Sequence, residues 1–248
     1  PSPMHDFGYD VSDYCEIDPR FGTLADFDRL TAEAHRRGIR VVMDLVLNHT
    51  SDQHPWFIES RASRTSAKRD WYYWADGKGS RRPPNNWAAR FGGSAWTHDR
   101  HTDQYYLHSF LPEQPDLNWT NPAVREAVFD VVRFWLDRGV DGFRLDAINW
   151  LGKDTGWPDN PWRFAWRSYY RQVHRYDRDQ PHTHEALRAL RASLKDRGDI
   201  FLVGETSSDT PGGPAAFYGD GSNELHEVFD FRLLRSHWHP DVFRRLIL

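Results

Sequence analysis

The chain repeats one order of elements, in which a helical pattern runs directly into a short apolar strand. Residues 24–38 place apolar side chains at helical spacing, and the nearly continuous apolar run 39–50 is typical of a strand buried on both faces. The same order returns twice, and a fourth strand follows a short helix. These later segments are the helices 121–139 and 184–198, the strands 140–149 and 199–205, and the last strand 226–234. Helices that alternate with strands in this way predict a parallel sheet.

Residues with known preferences mark the ends of two helices. Thr23 is a suitable N-cap for the first helix, and Gly38 ends it. Pro122 opens the second helix after Asn121, and Gly139 closes it. The helix boundaries suggested by these residues agree with the apolar periodicity.

An insertion rich in Trp, Tyr, Pro, Asn and Gly, residues 49–118, separates the first strand from the second helix. A loop segment this long inside a compact domain is usually functional. Four strands, with a possible strand end near Met4, are too few for a closed barrel of eight βα units, which takes about 250 residues without large insertions. We therefore expect an α/β fold, an incomplete (β/α)8 TIM barrel with roughly strands 2–6 and an irregular subdomain inserted after strand 3. An open doubly wound sheet is the alternative, but no glycine-rich phosphate loop follows the first strand.

This expectation divides the chain into three segments. They are a barrel segment from the end of barrel strand 2 to strand 3 (1–48), the inserted lobe (49–118), and a barrel segment from helix 3 to strand 6 (119–248).

The net charge and the cysteine content indicate which binding partners and which cellular compartment to expect. The net charge of −4 gives no reason to expect nucleic acid or an anionic membrane, and no apolar run is long enough to span a bilayer. Cys15 is the only cysteine, which excludes an intrachain disulfide and fits a reducing compartment, so we expect a cytoplasmic protein. The 15% of aromatic residues fits core packing, or stacking platforms for sugar rings.

The strand "DGFRLDAIN" (141–149) carries a guanidinium and a carboxylate on one face. Strand side chains alternate, so Phe143 and Leu145 point one way while Arg144 and Asp146 point the other. Such a pair is costly to bury unless its members bind each other, and Arg144 should lower the pKa of Asp146 and keep it ionised. The local pattern leaves two interpretations open, an internal ion pair of the barrel or a catalytic carboxylate.

Glu205 ends a neighbouring predicted strand. Because the carboxyl ends of parallel strands meet at one rim, Asp146 and Glu205 can converge there. Two carboxyl groups about 5 Å apart that flank a glycosidic bond suit a retaining glycosidase, a greater separation suits inversion, and the sequence alone leaves both open. In that chemistry Glu205 needs a raised pKa to hold its proton.

Three ordered segments carry a family pattern, namely "MDLVLNHTSDQHPWF" (43–57), "DGFRLDAIN" (141–149) and "FLVGET" (201–206). They resemble the signature segments of the alpha-amylase superfamily, glycoside hydrolase family 13. The stretches "DFGYDVSDYCEIDPRFGTLADF" and "QYYLHSFLPEQPDLNWTNPAVR" are similar to its alpha-glucosidase and oligo-1,6-glucosidase branch. The resemblance implies a (β/α)8 barrel whose insertion forms a lobe over the active site. It also implies a retaining alpha-glucosidase that hydrolyses or transglucosylates terminal alpha-linked glucose of short oligosaccharides, with alpha-1,4 linkages preferred.

The resemblance further implies roles for individual residues. Asp146 matches the nucleophile and Glu205 the general acid/base, whereas Asp44 lies in mid-strand as scaffold. The small Ala147 after the nucleophile tends to accompany alpha-1,4 preference. The substrate-binding matches are Asp6 and Tyr9, which hold the terminal glucose, His49, which donates to a glucose hydroxyl, the aromatic walls Phe91 and Phe110, and Arg144, the partner of the nucleophile.

The pattern departs from the family beyond the third signature. A fourth signature, Asn-His-Asp, carries the third catalytic carboxylate and would lie after Leu248. We therefore expect the 248-residue chain alone to be inactive. We expect no cofactor and assign no metal ligand, since the loop that often holds calcium or magnesium in the family is not in this sequence. Alternatives are a trehalose synthase or isomaltulose synthase, or a catalytically inactive sugar-binding relative.

Overall fold

The structure, a computed structural model, describes residues 1–79, 82–207, 212–231, 234 and 236–247. The helices with described bounds are α1 (Leu24–Arg36), α2 (Pro55–Ala62), α3 (Pro122–Asp137), α4 (Pro181–Ser193) and α5 (Pro240–Ile247). The strands are β1 (Val42–Val46), β2 (Trp74–Ala75), β3 (Trp96–Asp99), β4 (Gln104–Leu107), β5 (Gly142–Asp146), β6 (Phe201–Thr206) and β7 (Glu227–Asp230).

A parallel sheet with the strand order β1-β5-β6-β7 forms the frame of the molecule. Asp44 of β1 lies opposite Arg144 of β5, and Glu205 of β6 lies opposite Phe229 of β7. The parallel sheet predicted from the helix–strand alternation is confirmed. Asp146 and Glu205 stand near the carboxyl ends of adjacent strands, and both ends point to the same edge of the sheet.

The side chains of β5 separate into two faces, as the alternation predicts. Phe143 and Leu145 are fully buried in a core that also contains Val132 of α3 and Leu187 of α4. Arg144 and Asp146, on the other face, keep 22% and 13% of their side-chain surface exposed. A slip of one residue in the pairing would bring both charges into the apolar core, so burial fixes the register.

The predicted helix ends are found with their expected capping contacts. The Thr23 side chain accepts from the Asp26 amide, and the Asp26 carboxylate accepts from the Thr23 amide, so the two form a capping box. The Asn121 side chain caps α3. Gly38 and Gly139 follow α1 and α3 with φ of +69° and +90°, a conformation that glycine adopts at little cost.

The strand end expected near Met4 is wrong. Residues 1–10 contain no strand, because the carboxylate of Asp10 accepts the amide hydrogens of His5 and Asp6 at 3.0 and 3.1 Å and holds a turn. Met4 itself has φ of +69°, which no strand residue adopts.

Several elements differ from the sequence expectation in their bounds or type, and the strands are shorter than predicted. Helix α4 begins at Pro181, three residues earlier than predicted, since a proline at the first helical position loses no hydrogen bond. The short helix before β7 is a 3₁₀ helix, Gly213–Tyr218.

The insertion is more regular than predicted. It contains α2 and an antiparallel sheet in the order β2-β4-β3, and His49 and Asp116 bridge its two ends. The insertion has its own core, made of Tyr73, Trp87, Ala89, Ala95, Trp96, Tyr105 and Leu107. Trp157, from the long loop after β5, packs on Trp87 and Trp96 with ring centroids 5.5 and 5.0 Å away. The loop after β5 is therefore fastened to the insertion beside the carboxyl edge of the main sheet.

Candidate active site

Arg144 contacts carboxylates from three neighbouring strands. Its Nη1 lies 2.9 Å from Asp44 Oδ1 of β1 and 2.7 Å from Asp146 Oδ1 of β5. Its Nη2 contacts Glu205 Oε2 of β6. A guanidinium has a planar fork of donors, so one side chain can bind several carboxylates and offset their mutual repulsion.

A cavity of about 350 Å³ opens beside this cluster. It brings together all eight residues that the sequence singled out as catalytic or substrate-binding, although they come from widely separated parts of the chain. The lining residues are Asp6, Tyr9, His49, Phe91, Phe110, Arg144, Asp146, Ala147 and Glu205. A concave site with aromatic walls and a few convergent polar groups is the usual form of a small-molecule pocket.

Burial raises the pKa of Asp146 above the ordinary aspartate value, and the guanidinium of Arg144 offsets this only in part. The sequence argument expected a lowered pKa because it weighed the Arg144 charge alone, and that expectation is wrong. The depth of the carboxyl group, which depends on the packing of the loops above β5, decides the direction.

The carboxylate of Glu205 contacts the guanidinium of Arg144, not the apolar surroundings that would raise its affinity for a proton. The contact with Arg144 favours the ionised carboxylate, whereas a proton donor needs surroundings that favour the neutral acid. This arrangement therefore differs from the one that donation of a proton requires.

His49 lies in the wall of the cavity and is almost completely buried. Its Nε2 is 2.9 Å from the Tyr9 carbonyl oxygen. Gln114 packs against the same His49 nitrogen and donates to Asp6 Oδ2 at 3.0 Å. Burial lowers the pKa of His49, so the imidazole is neutral near pH 7. Asp6, Tyr9 and His49 are thus held together as one polar wall.

Aromatic rings complete the cavity. Phe110 stands between His49 and Phe91, with ring centroids 5.3 and 5.9 Å away. The Tyr9 ring lies 5.8 Å from the Arg144 guanidinium carbon, and its hydroxyl donates to Asp44 at 3.0 Å. Apolar ring faces beside hydrogen-bonding groups suit a sugar, which has both apolar faces and polar edges.

The sequence did not reveal the role of two residues that position the site. Asp44 was interpreted as scaffold, but it positions both Arg144 and Tyr9. Gln114 was not singled out, although it lies in the "QPDLN" stretch and links Asp6 to His49. A buried glutamine has no periodic signature, so only its occurrence inside a family-like stretch could have pointed to it.

Within residues 1–79, 82–207, 212–231, 234 and 236–247, no group of three or more His, Cys, Asp and Glu side chains is arranged to hold a metal ion. Over the same part of the chain, none of the helices has both the length and the apolar character needed to cross a membrane. The cytoplasmic location stays a prediction.

The model of the alpha amylase catalytic domain matches residues 1–244. The chain belongs to the alpha-amylase family. The resemblance found in its three signature segments is confirmed. This alpha-amylase family chain is 52% identical over 244 residues to a probable alpha-glucosidase of Rhizobium meliloti (strain 1021). The match covers 94% of this chain and 44% of that protein.

Solved structures of the family show the same fold. The crystal structure of the alpha-glucosyl transfer enzyme XgtA superposes with a TM-score of 0.94 at 45% identity, over 99% of this chain and 48% of that one. The trehalulose synthase MutB, as an E254Q mutant in complex with sucrose, gives a TM-score of 0.84 at 40% identity over 95% of this chain and 41% of that one. The incomplete (β/α)8 barrel predicted from the sequence is confirmed, and the alpha-amylase family chain spans less than half the length of these relatives.

Proposed function

We propose that this protein is a retaining alpha-glucosidase acting on terminal alpha-linked glucose of short oligosaccharides. The observation that carries the proposal is that Asp146 and Glu205 line one cavity and contact one guanidinium, that of Arg144. The polar wall with His49 supplies hydrogen-bonding groups for a sugar beside these acids. The likeness to a probable alpha-glucosidase supports the same chemistry.

In the first step, Glu205 donates a proton to the glycosidic oxygen while the bond from that oxygen to the anomeric carbon breaks. The Asp146 carboxylate attacks the anomeric carbon from the opposite face, and a glucosyl ester forms. The leaving sugar departs as an alcohol with the proton that Glu205 supplied.

In the second step, the Glu205 carboxylate removes a proton from water, and the water oxygen attacks the anomeric carbon. The ester bond to Asp146 breaks, and glucose leaves with its original configuration. A sugar hydroxyl in place of water gives transglucosylation, for which the likeness to an alpha-glucosyl transfer enzyme is support.

The proposed steps require opposite protonation states of the two acids. Asp146 must be ionised to attack, although burial raises its pKa. Glu205 must be protonated to donate, so its contact with Arg144 has to loosen when a sugar enters. The requirement on Glu205 favours a substrate that separates Arg144 from Glu205 and leaves the guanidinium to Asp146 and Asp44.

Activity is best measured on the reading frame extended to the length of the relatives, called the extended chain below. We expect it to hydrolyse maltose and p-nitrophenyl alpha-glucoside, and we expect the 248-residue chain alone to hydrolyse neither. A 2-fluoroglucosyl trap followed by peptide mass spectrometry should label Asp146. A label on any other carboxylate would refute the assigned nucleophile.

Sucrose isomerisation is the second candidate, favoured by the likeness to a trehalulose synthase solved with sucrose. Product analysis after incubation with sucrose separates the two candidates. Free glucose and fructose support hydrolysis, while trehalulose or isomaltulose supports isomerisation. Glucose binding without turnover of any sugar by the extended chain would identify a sugar-binding relative instead.

A further inference from the structure

Lys153 is a fully buried charge for which the proposed reaction has no direct use. Its side chain has no exposed surface and forms an ion pair with the equally buried Asp116, with Nζ 3.1 Å from Oδ2. The ammonium also donates to Asn48 Oδ1 at 3.3 Å and to the Trp150 carbonyl oxygen. Burying two charges is costly, so a pair held this completely needs a reason beyond packing.

The two charges fix the orientation of the Asn48 amide. An ammonium only donates hydrogen bonds, so Asn48 must present its carbonyl oxygen to Lys153. A carboxylate only accepts, and Asn48 Nδ2 donates to Asp116 Oδ1 at 2.9 Å. The same Nδ2 lies 3.2 Å from Nδ1 of His49.

The orientation of Asn48 in turn selects the tautomer of His49. Because Nδ1 accepts from Asn48, the proton of the neutral imidazole is on Nε2. The Tyr9 carbonyl oxygen, 2.9 Å from Nε2, is positioned to accept that proton. Gln114 Nε2, 2.9 Å from the same His49 nitrogen, directs its two hydrogens to Asp6 Oδ2 and the Tyr9 carbonyl oxygen, at 3.0 and 3.3 Å, so it leaves none for His49. In the other tautomer two donors would face each other at Nδ1, and His49 Nε2 and the Tyr9 carbonyl oxygen would face each other as two acceptors.

We propose that Lys153 is a positioning residue of the candidate active site. With Asp116 it holds the Asn48 amide in one orientation, and through Asn48 it keeps the proton of His49 on Nε2, in the wall of the cavity. Its effect on turnover rests on the proposed function, whereas the tautomer of His49 does not depend on it.

The test replaces Lys153 by Met in the extended chain and follows the histidines by ¹⁵N NMR, with the His49 signal identified through His49→Gln. The unsubstituted chain should show His49 protonated on Nε2. K153M leaves the buried Asp116 without its cation, so the carboxyl group takes up a proton and can donate to Asn48 as well as accept from it, and the Nε2 form should be lost. We expect kcat/KM to fall by about tenfold or more, the effect of leaving a buried hydrogen-bonding group unpaired. The matched control Lys195→Met, at an exposed lysine, should change neither the His49 signal nor kcat/KM.

The double variant Lys153→Met/Asp116→Asn distinguishes two effects of losing Lys153, the loss of a fixed Asn48 orientation and the cost of leaving the buried Asp116 without its cation. It leaves no unpaired buried charge, so it should recover most of the thermal stability that K153M loses. An amide at position 116 can donate or accept, so it no longer fixes Asn48, and the Nε2 tautomer and turnover should stay lost. If K153M does not fold, the double variant carries the test.

Two results would overturn the proposal. One is an unchanged His49 tautomer in K153M or in the double variant. The other is recovery of both stability and turnover in the double variant. If the unsubstituted extended chain turns over no substrate, the proposed function fails, and the NMR result alone still decides the role of Lys153.

Discussion

Asp44 on β1 and Arg144 on β5 face each other across the sheet, with Asp44 Oδ1 2.9 Å from Arg144 Nη1. Asp44 also accepts the hydroxyl hydrogen of Tyr9 at 3.0 Å. It does not line the cavity, yet it anchors the cation that contacts Asp146 and Glu205. The two candidate catalytic acids are therefore arranged by a guanidinium that a third carboxylate holds in place.

Replacing Arg144 by Lys is expected to lower kcat/KM of the extended chain by about tenfold to a hundredfold, since an ammonium lacks the planar fork that reaches several carboxylates. Asp146 must be ionised to attack, and Arg144 lowers the pKa of Asp146 against the larger effect of burial. A weaker cation leaves that pKa higher, so the acid limb of the kcat/KM profile should move to higher pH. An unchanged acid limb would contradict this account.

The matched control for this substitution is Arg133→Lys. Arg133 also binds two carboxylates, those of Glu126 and Asp130 at 2.5 and 2.6 Å, but on the surface of α3. Surface ion pairs contribute about 0–1 kcal/mol, so the free energy of unfolding should change little and the pH profile not at all.

Asp146→Asn is expected to raise the melting temperature at pH 7 by about 1–4 °C. Burial raises the pKa of Asp146 in the folded chain, so the folded state binds this proton more tightly than the unfolded state. The stability from this group is therefore present at low pH and is lost as pH rises through its folded pKa. An uncharged amide avoids that loss, and Arg144 keeps Asp44 and Glu205 as partners.

Thermal unfolding over a series of pH values checks this prediction. The advantage of Asp146→Asn should shrink as pH falls below the pKa of Asp146, and a difference that grows on acidification would contradict it. The same exchange at the exposed Asp196 should leave the melting temperature nearly unchanged at every pH.

Local patterns predicted what depends on neighbours in sequence. The alternation in β5 placed Arg144 and Asp146 on one face, and Thr23 marked the start of α1. The contacts of Gln114 and Lys153 were not predictable in this way, because each joins residues that are far apart in the chain. The pKa of Asp146 was predicted in the wrong direction for the same reason, since its burial is set by packing rather than by its own strand.

Ala147 holds a left-handed backbone, with φ of +48° and ψ of +42°, at the edge of the cavity. A β-branched side chain is disfavoured there, so Ala147→Val should destabilise the protein by about 1–2 kcal/mol. The added methyl groups also take space from the cavity, and we expect kcat/KM for maltose relative to isomaltose to fall. Ala147→Gly should raise the free energy of unfolding by up to about 1 kcal/mol and keep the preference for maltose over isomaltose. Denaturant unfolding and kinetics with both sugars check these outcomes, and a destabilised glycine variant would argue against backbone strain.

Trp157 fastens the loop after β5 to the insertion, with its ring centroid 5.0 Å from Trp96, 5.5 Å from Trp87 and 5.7 Å from Tyr73. Trp157→Ala removes these contacts and leaves a cavity beside the core of the insertion. It should therefore lower the free energy of unfolding by about 2–4 kcal/mol. Trp166→Ala is the matched control, since Trp166 is 89% exposed in the same loop and its loss should cost about 0.5 kcal/mol or less. Urea unfolding measures both. Equal losses for the two variants would show that the Trp157 ring does not hold the loop to the insertion, because Trp157 packs against the core of the insertion and Trp166 is not among the residues that do.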